Sequence, residues 1–78
     1  MEWKEEDNQL VKVFTMNNFS EIVNALPKIG KIADVMDHHP DFEVYGYKNI
    51  RFTLSTHSEG KVTELDYKLA EEIDTVLS

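Results

Sequence analysis

The spacing of the hydrophobic residues alternates along this chain between the period of a strand and that of a helix, and that alternation limits how it can layer. Between positions 49 and 55, Ile50, Phe52 and Leu54 alternate with Asn49, Arg51, Thr53 and Ser55. A period of two puts one set of side chains on a single sheet face, so the segment is expected to be a half-buried strand. Phe42 and Val44 can face the same core from a partner strand, with a turn near Lys48 and Asn49, which predicts a β-hairpin over 42–56. Phe19, Val23, Leu26, Ile29 or Gly30, Ala33 and Met36 recur at helical spacing, as do Leu65, Leu69, Ile73 and Val76. Residues 9–15 are rich in strand formers and predict another strand, with Trp3 to Glu5 as a short partner. The order is ββαββα. It predicts an α+β fold in one domain over residues 1–78, a four-stranded antiparallel sheet with two helices packed on one face.

The element ends carry their own signals. Asn18 followed three residues later by Glu21 is a capping box at the start of the first helix. Pro27 removes a backbone donor and crowds the carbonyl of Val23, so a kink is expected there rather than a stop, since the apolar pattern resumes in phase. Pro40 pushes His39 out of the α region, which predicts an end at about His38. Ser58 to Lys61 reads as a loop containing Gly60, and Thr63 as the cap of the last helix.

Composition narrows the function classes. A chain of 78 residues buries only ~60–65% of its unfolded surface, so its core is small. With an open sheet whose edges invite pairing, this predicts a homo-oligomer, dimer or tetramer. There is no cysteine, hence no disulfide or thiolate–metal site, which fits a reducing compartment. No apolar run approaches the roughly 18–20 residues that span a bilayer. The opening Met-Glu-Trp-Lys-Glu-Glu-Asp is charged rather than signal-like, and a soluble cytoplasmic protein is expected. A net charge of −7 repels phosphate backbones and anionic membrane faces, so neither direct nucleic-acid binding nor membrane binding is expected.

All three histidines fall into two clusters, Asp37-His38-His39-Pro40 and Ser55-Thr56-His57. Imidazole is the side chain whose ordinary pKa allows proton transfer in both directions near neutral pH. Asp34 and His38, four apart, can share a helix face. His39 and Pro40 leave the helix end, and His57 ends a strand. The three could converge on one concave spot, with one ring as acid and another as base. Other readings of the same residues stand beside this. Asp34–His38 can be a surface pair, and His57 can satisfy a loop carbonyl. The imidazoles with Asp34 or Asp66 could hold zinc or iron, although adjacent His38 and His39 point in different directions. Asp66, at the third position of the last helix, can simply cap it. Trp3 suits the core or a subunit contact, Tyr45 and Tyr47 suit sheet packing or a pocket wall, and Glu71, Glu72 and Asp74 suit a solvated face.

The spacing over the whole chain resembles the pterin-4a-carbinolamine dehydratases. Asp34, three residues, His38-His39-Pro40, six residues, Tyr47, nine residues, His57, eight residues and Asp66 follow that family's pattern. Leu54-Ser55-Thr56-His57, Thr63-Glu64-Leu65-Asp66, Leu69-Ala70, Ile73-Asp74, Trp3 and the Phe14 to Phe19 spacing agree with it. The departures are a missing leading helix before Trp3, Phe42 where tryptophan is frequent, Gly60-Lys61-Val62 in place of Gly-Gly-Leu, and Pro27. They touch loop shape and assembly rather than the histidines. The resemblance implies dehydration of a 4a-hydroxytetrahydropterin, formed by aromatic amino-acid hydroxylases, to quinonoid dihydropterin and water, without metal or cofactor. It implies His38 and His57 as acid–base groups and His39 as the group that binds and orients the pterin. It implies that Asp34, Pro40, Thr56 and Asp66 shape or polarise the substrate pocket. It also implies alternatives: a non-catalytic protein-binding module, because vertebrate members serve as dimerisation cofactors of a homeodomain transcription factor, or another pterin-related role.

Overall fold

The computed structural model describes residues 2–78. Its elements are β1 (Lys4–Glu6), β2 (Gln9–Thr15), α1 (Phe19–Met36), β3 (Asp41–Tyr45), β4 (Asn49–Leu54) and α2 (Glu64–Leu77). The strands form one antiparallel sheet in the order β1-β2-β4-β3. This is the expected ββαββα order, with the first strand one residue later than Trp3 to Glu5 suggested.

Turn chemistry sets the registers. Asp7 and Asn8 both take positive φ, 50° and 63°, between the paired Glu6 and Gln9. That is the two-residue turn whose twist matches a hairpin, and Asp and Asn tolerate it best after glycine. The second hairpin turns over Gly46, Tyr47 and Lys48, with φ 56° and 55° at the first two, so the turn includes Lys48 as expected but not Asn49. Asn49 is already in β4, opposite Tyr45. A side chain on Gly46 would meet the Asn49 amide at 3.0 Å, so glycine is the residue that fits there.

The core lies between the sheet and the helices. Leu10 of β2 and Ile50, Phe52 and Leu54 of β4 meet Ile22 and Ile29 of α1 and Leu69, Ala70 and Ile73 of α2. Phe52 is fully enclosed, with Trp3, Phe14 and Phe42 rings around it at 5.9–6.4 Å between centroids. Truncating such a ring to alanine costs about 3–5 kcal/mol. The buried face of α1 is Ile22, Ala25, Ile29 and Ala33. Phe19 and Val23, placed on the inner stripe by spacing, are exposed. They share a helical period with Leu26 and Ala33 but sit too far round the cylinder to reach the sheet. Leu65 is likewise exposed, because Asp66 takes the inward position beside it. Phe42 is half exposed, while Val44 packs on the core.

Asp74 is not the purely solvated charge its setting among Glu71 and Glu72 suggested. Its Oδ1 accepts the Trp3 indole N–H at 3.0 Å and pairs with Lys12 Nζ at 2.8 Å. Lys12 Nζ also lies 4.4 Å from the Phe14 ring centre. The core-facing side of β2 thus carries a cation, held by a carboxylate and an aromatic face. This closes the rim between the N-terminal segment and α2.

Candidate active site

The site starts where α1 stops. Asp37 adopts a left-handed conformation, φ 52°, immediately after Met36. Its N–H donates to the Asp34 carbonyl at 3.2 Å, and the His38 N–H donates to the Ala33 carbonyl at 3.0 Å. These crossed bonds satisfy the last carbonyls and turn the chain sharply. The helix therefore ends at Met36, before His38, and the end is made by Asp37 rather than by Pro40. Lying beyond the end, His38 and Asp34 no longer sit one helical turn apart. Asp34 instead pairs with His39, Oδ1 to Nε2 at 2.8 Å on the surface.

His38 turns inward to α2. Its Nε2 lies 2.6 Å from Asp66 Oδ1, with the His38 side chain 10% exposed and the Asp66 side chain 0%. Asp66 Oδ2 accepts the Thr63 backbone N–H and the Thr56 hydroxyl, each at 2.9 Å. The Thr56 and Thr63 hydroxyls are 2.6 Å apart. Asp66 thus performs the capping role at the third position of α2 and faces a histidine as well. Thr56 is held by a bridge to Lys61, its N–H bonding the Lys61 carbonyl at 3.0 Å, and Gly60 closes that loop at φ 65°. His57 follows Thr56 at the lip of the loop and is exposed.

These segments enclose a cleft of about 390 Å³. His38, His39, Pro40, Thr56 and His57 line it, with Leu65 as an apolar wall. Asp66 stands behind His38 and Asp34 stands outside the cleft beside His39. Tyr45 and Tyr47 do not line it. Asp37 and Ser55 of the two histidine clusters do, and so do Asp41, Ser58 and Leu65, which the sequence had not marked for the site. The signal for Leu65 was the Thr63–Asp66 capping pattern: once Asp66 points inward, its neighbour must face out. A larger concavity of about 490 Å³ lies at the far end of α2, beside Thr15, Asn24 and Lys28. It contains no imidazole, and its volume is not matched by a cluster of proton-transfer groups. Among the described residues no three His, Cys, Asp or Glu side chains gather at metal-binding distance, and no helix is long and apolar enough to cross a membrane.

The chain is thus an α+β domain in which two imidazoles just beyond a helix end and a third on the loop after β4 line one cleft. The chain matches the family described as "Pterin 4 alpha carbinolamine dehydratase" over residues 1–76, and it belongs to that family. A protein of Sulfolobus acidocaldarius, provisionally named a pterin-4-alpha-carbinolamine dehydratase, is 51% identical over 95% of this chain and 80% of its own length. One of Sulfurisphaera tokodaii with the same provisional name is 42% identical over 97% of this chain and 81% of its own. The crystal structure of a transcriptional coactivator/pterin dehydratase from Brucella melitensis superposes with a TM-score of 0.92 at 30% identity, covering 99% of this chain and 83% of that one. A pterin dehydratase-like protein described as a RuBisCO assembly factor in the α-carboxysome shares the fold, with a TM-score of 0.81 at 17% identity over 100% of this chain and 92% of that one.

Proposed function

We propose that this protein is a dehydratase of 4a-hydroxytetrahydropterins, acting in the cytoplasm in the recycling of tetrahydropterin used by an aromatic amino-acid hydroxylase. The 4a-hydroxyl takes a proton and leaves as water, N5 loses its proton, and the quinonoid dihydropterin remains. The reaction needs one proton delivered and one removed within a single cleft, with no metal or organic cofactor. The observation that carries this reading is the sharing of one cleft by His38, His39 and His57, with His38 backed by the enclosed Asp66. His38 and His57 carry the two proton transfers, since groups that titrate near the working pH serve best as acid and base. His39, the most solvent-facing end of the α1 pair, binds and orients the pterin. Pro40 and Thr56 shape the pocket, Asp66 polarises His38, and Asp34 holds the His39 ring.

The test is stopped-flow decay of a synthetic 4a-carbinolamine. Acceleration over the spontaneous reaction, unchanged by a chelator, is the expected result. A second reading is a protein-binding module of the coactivator type, favoured by the double description of the Brucella relative. Folded protein that leaves the spontaneous rate unchanged would overturn the enzyme reading in favour of this one.

A further inference from the structure

The hydrogen bonds behind His38 have a direction. The enclosed carboxylate of Asp66 is reached by three groups. At Oδ2 the Thr63 backbone N–H can only donate, and the Thr56 hydroxyl donates beside it. A hydroxyl has one proton to give. Thr56 gives it to Asp66, so in the 2.6 Å contact between the two threonine hydroxyls Thr63 is the donor. Oδ1 is left for His38 Nε2 at 2.6 Å. An ionised carboxylate only accepts, so the ring nitrogen facing it carries the hydrogen. Nδ1 has no hydrogen-bond partner among the described residues, and none of their buried side-chain nitrogens or oxygens lacks one. Nδ1 is therefore reached by solvent, and the concavity that His38 lines is the cleft.

We infer that Asp66, aimed by the Thr63 backbone and the Thr56 hydroxyl, is a positioning residue that holds neutral His38 as its Nε2–H tautomer and presents Nδ1 as the bare nitrogen to substrate. The inference deepens the proposed function and rests on it for its catalytic meaning. In this tautomer the neutral ring takes a proton at Nδ1, and the imidazolium so formed stays paired with the Asp66 carboxylate. The ring can return that proton only from the same atom.

Asp66→Asn tests this sharply. The backbone N–H of Thr63 cannot be reversed, so the new amide must keep its oxygen at the Oδ2 position and turn its NH₂ toward His38. Nε2 must then accept, and the ring proton moves to Nδ1. Long-range ¹H–¹⁵N spectra of the neutral ring report the tautomer directly. The native protein is expected to show Nε2–H and the variant Nδ1–H, with turnover falling by about 10²–10⁴-fold, the worth of a general acid or base. A native ring protonated at Nδ1, or a variant that keeps Nε2–H, overturns the inference. If the variant does not fold, the native spectrum decides alone. An inverted tautomer with undiminished turnover upholds the positioning role and overturns the catalytic role of His38, so the two failures are distinguishable.

Discussion

Two adjacent histidines occupy opposite electrostatic settings. His39 and Asp34 form an exposed pair, 57% and 78% accessible at the side chains, worth about 0–1 kcal/mol. His38 and Asp66 are enclosed, and removing the ring leaves the buried Asp66 carboxylate short of a donor, at a cost of about 1–3 kcal/mol or more. A turnover experiment must respect this difference. His38→Gln keeps an amide donor for Asp66, so it is preferable to alanine. His38→Gln and His57→Ala are each expected to cut dehydratase turnover by about 10²–10⁴-fold, with far-ultraviolet circular dichroism unchanged. The double variant should lose less than the product of the two if both rings act on one substrate. His39→Ala should raise KM more than it lowers kcat. Full turnover in a folded double variant would show that these rings are not the catalysts. That the three imidazoles meet at one cleft was legible in the sequence; what each ring touches was not. The partner of His38 depends on where α1 stops. A shift of two residues, from the expected His38 to the observed Met36, exchanges Asp34 for a carboxylate 28 positions away in the chain.

At the scale of elements, α1 runs unbroken through Pro27 over its 18 residues. Proline in a helix interior is about 3 kcal/mol less favourable than alanine, partly offset by about 0.4–1 kcal/mol from the stiffer unfolded chain. Pro27 is exposed, so Pro27→Ala should stabilise the fold by about 1–3 kcal/mol. A denaturant midpoint that does not rise would show that the helix draws a packing benefit from the ring. The N-cap was legible because Asn18 and Glu21 have one local job. Even so, the Glu21 carboxylate reaches back to the N–H of Asn17 rather than that of Asn18, while the Asn18 side chain accepts from Glu21 as expected. The C-terminal turn was less legible, since a left-handed aspartate carries no spacing signal and glycine is the usual marker. Contacts between distant elements are invisible locally, as with Tyr67 of α2, whose hydroxyl donates to Glu5 of β1 at 3.2 Å. Desolvation, that hydrogen bond and the Glu5 charge raise the Tyr67 pKa above its ordinary value of 10.0. The folded state therefore keeps the phenolic proton longer than the unfolded chain does. The stability from this contact is complete below the ordinary tyrosine value and is lost as pH rises through the raised one. Tyr67→Phe should remove that component of alkaline destabilisation, measured as a flatter slope of denaturant midpoint against pH. A slope identical to the native protein's would show that the contact contributes nothing.

For the whole molecule, the open question is what covers its apolar exterior. The layer order follows from the alternation of periods and was legible in full, because one sheet and two amphipathic helices have few ways to share a core of this size. Assembly depends on surfaces the core does not explain. Val35 is 79% exposed on α1, Phe42 is 50% exposed on β3 and Tyr47 is 63% exposed at the hairpin tip. The two sheet edges also differ. β1 offers three exposed residues, Lys4, Glu5 and Glu6, whose charges blunt edge pairing. β3 is longer and carries Phe42, Val44 and Tyr45 beside Asp41 and Glu43, so it is the edge that invites a partner. A net charge of −7 opposes indiscriminate association and leaves only well-fitted contacts favourable. We therefore expect a homodimer or homotetramer, seen as two or four chain masses by multi-angle light scattering at micromolar concentration. Phe42→Lys should shift that mass toward the monomer if the β3 edge is the seam, and Val35→Lys should do so if the α1 face is. Native protein that scatters as a single chain across the concentration range would refute the assembly. The exposed Val35 and Phe42 would then have to be explained by a partner of another kind.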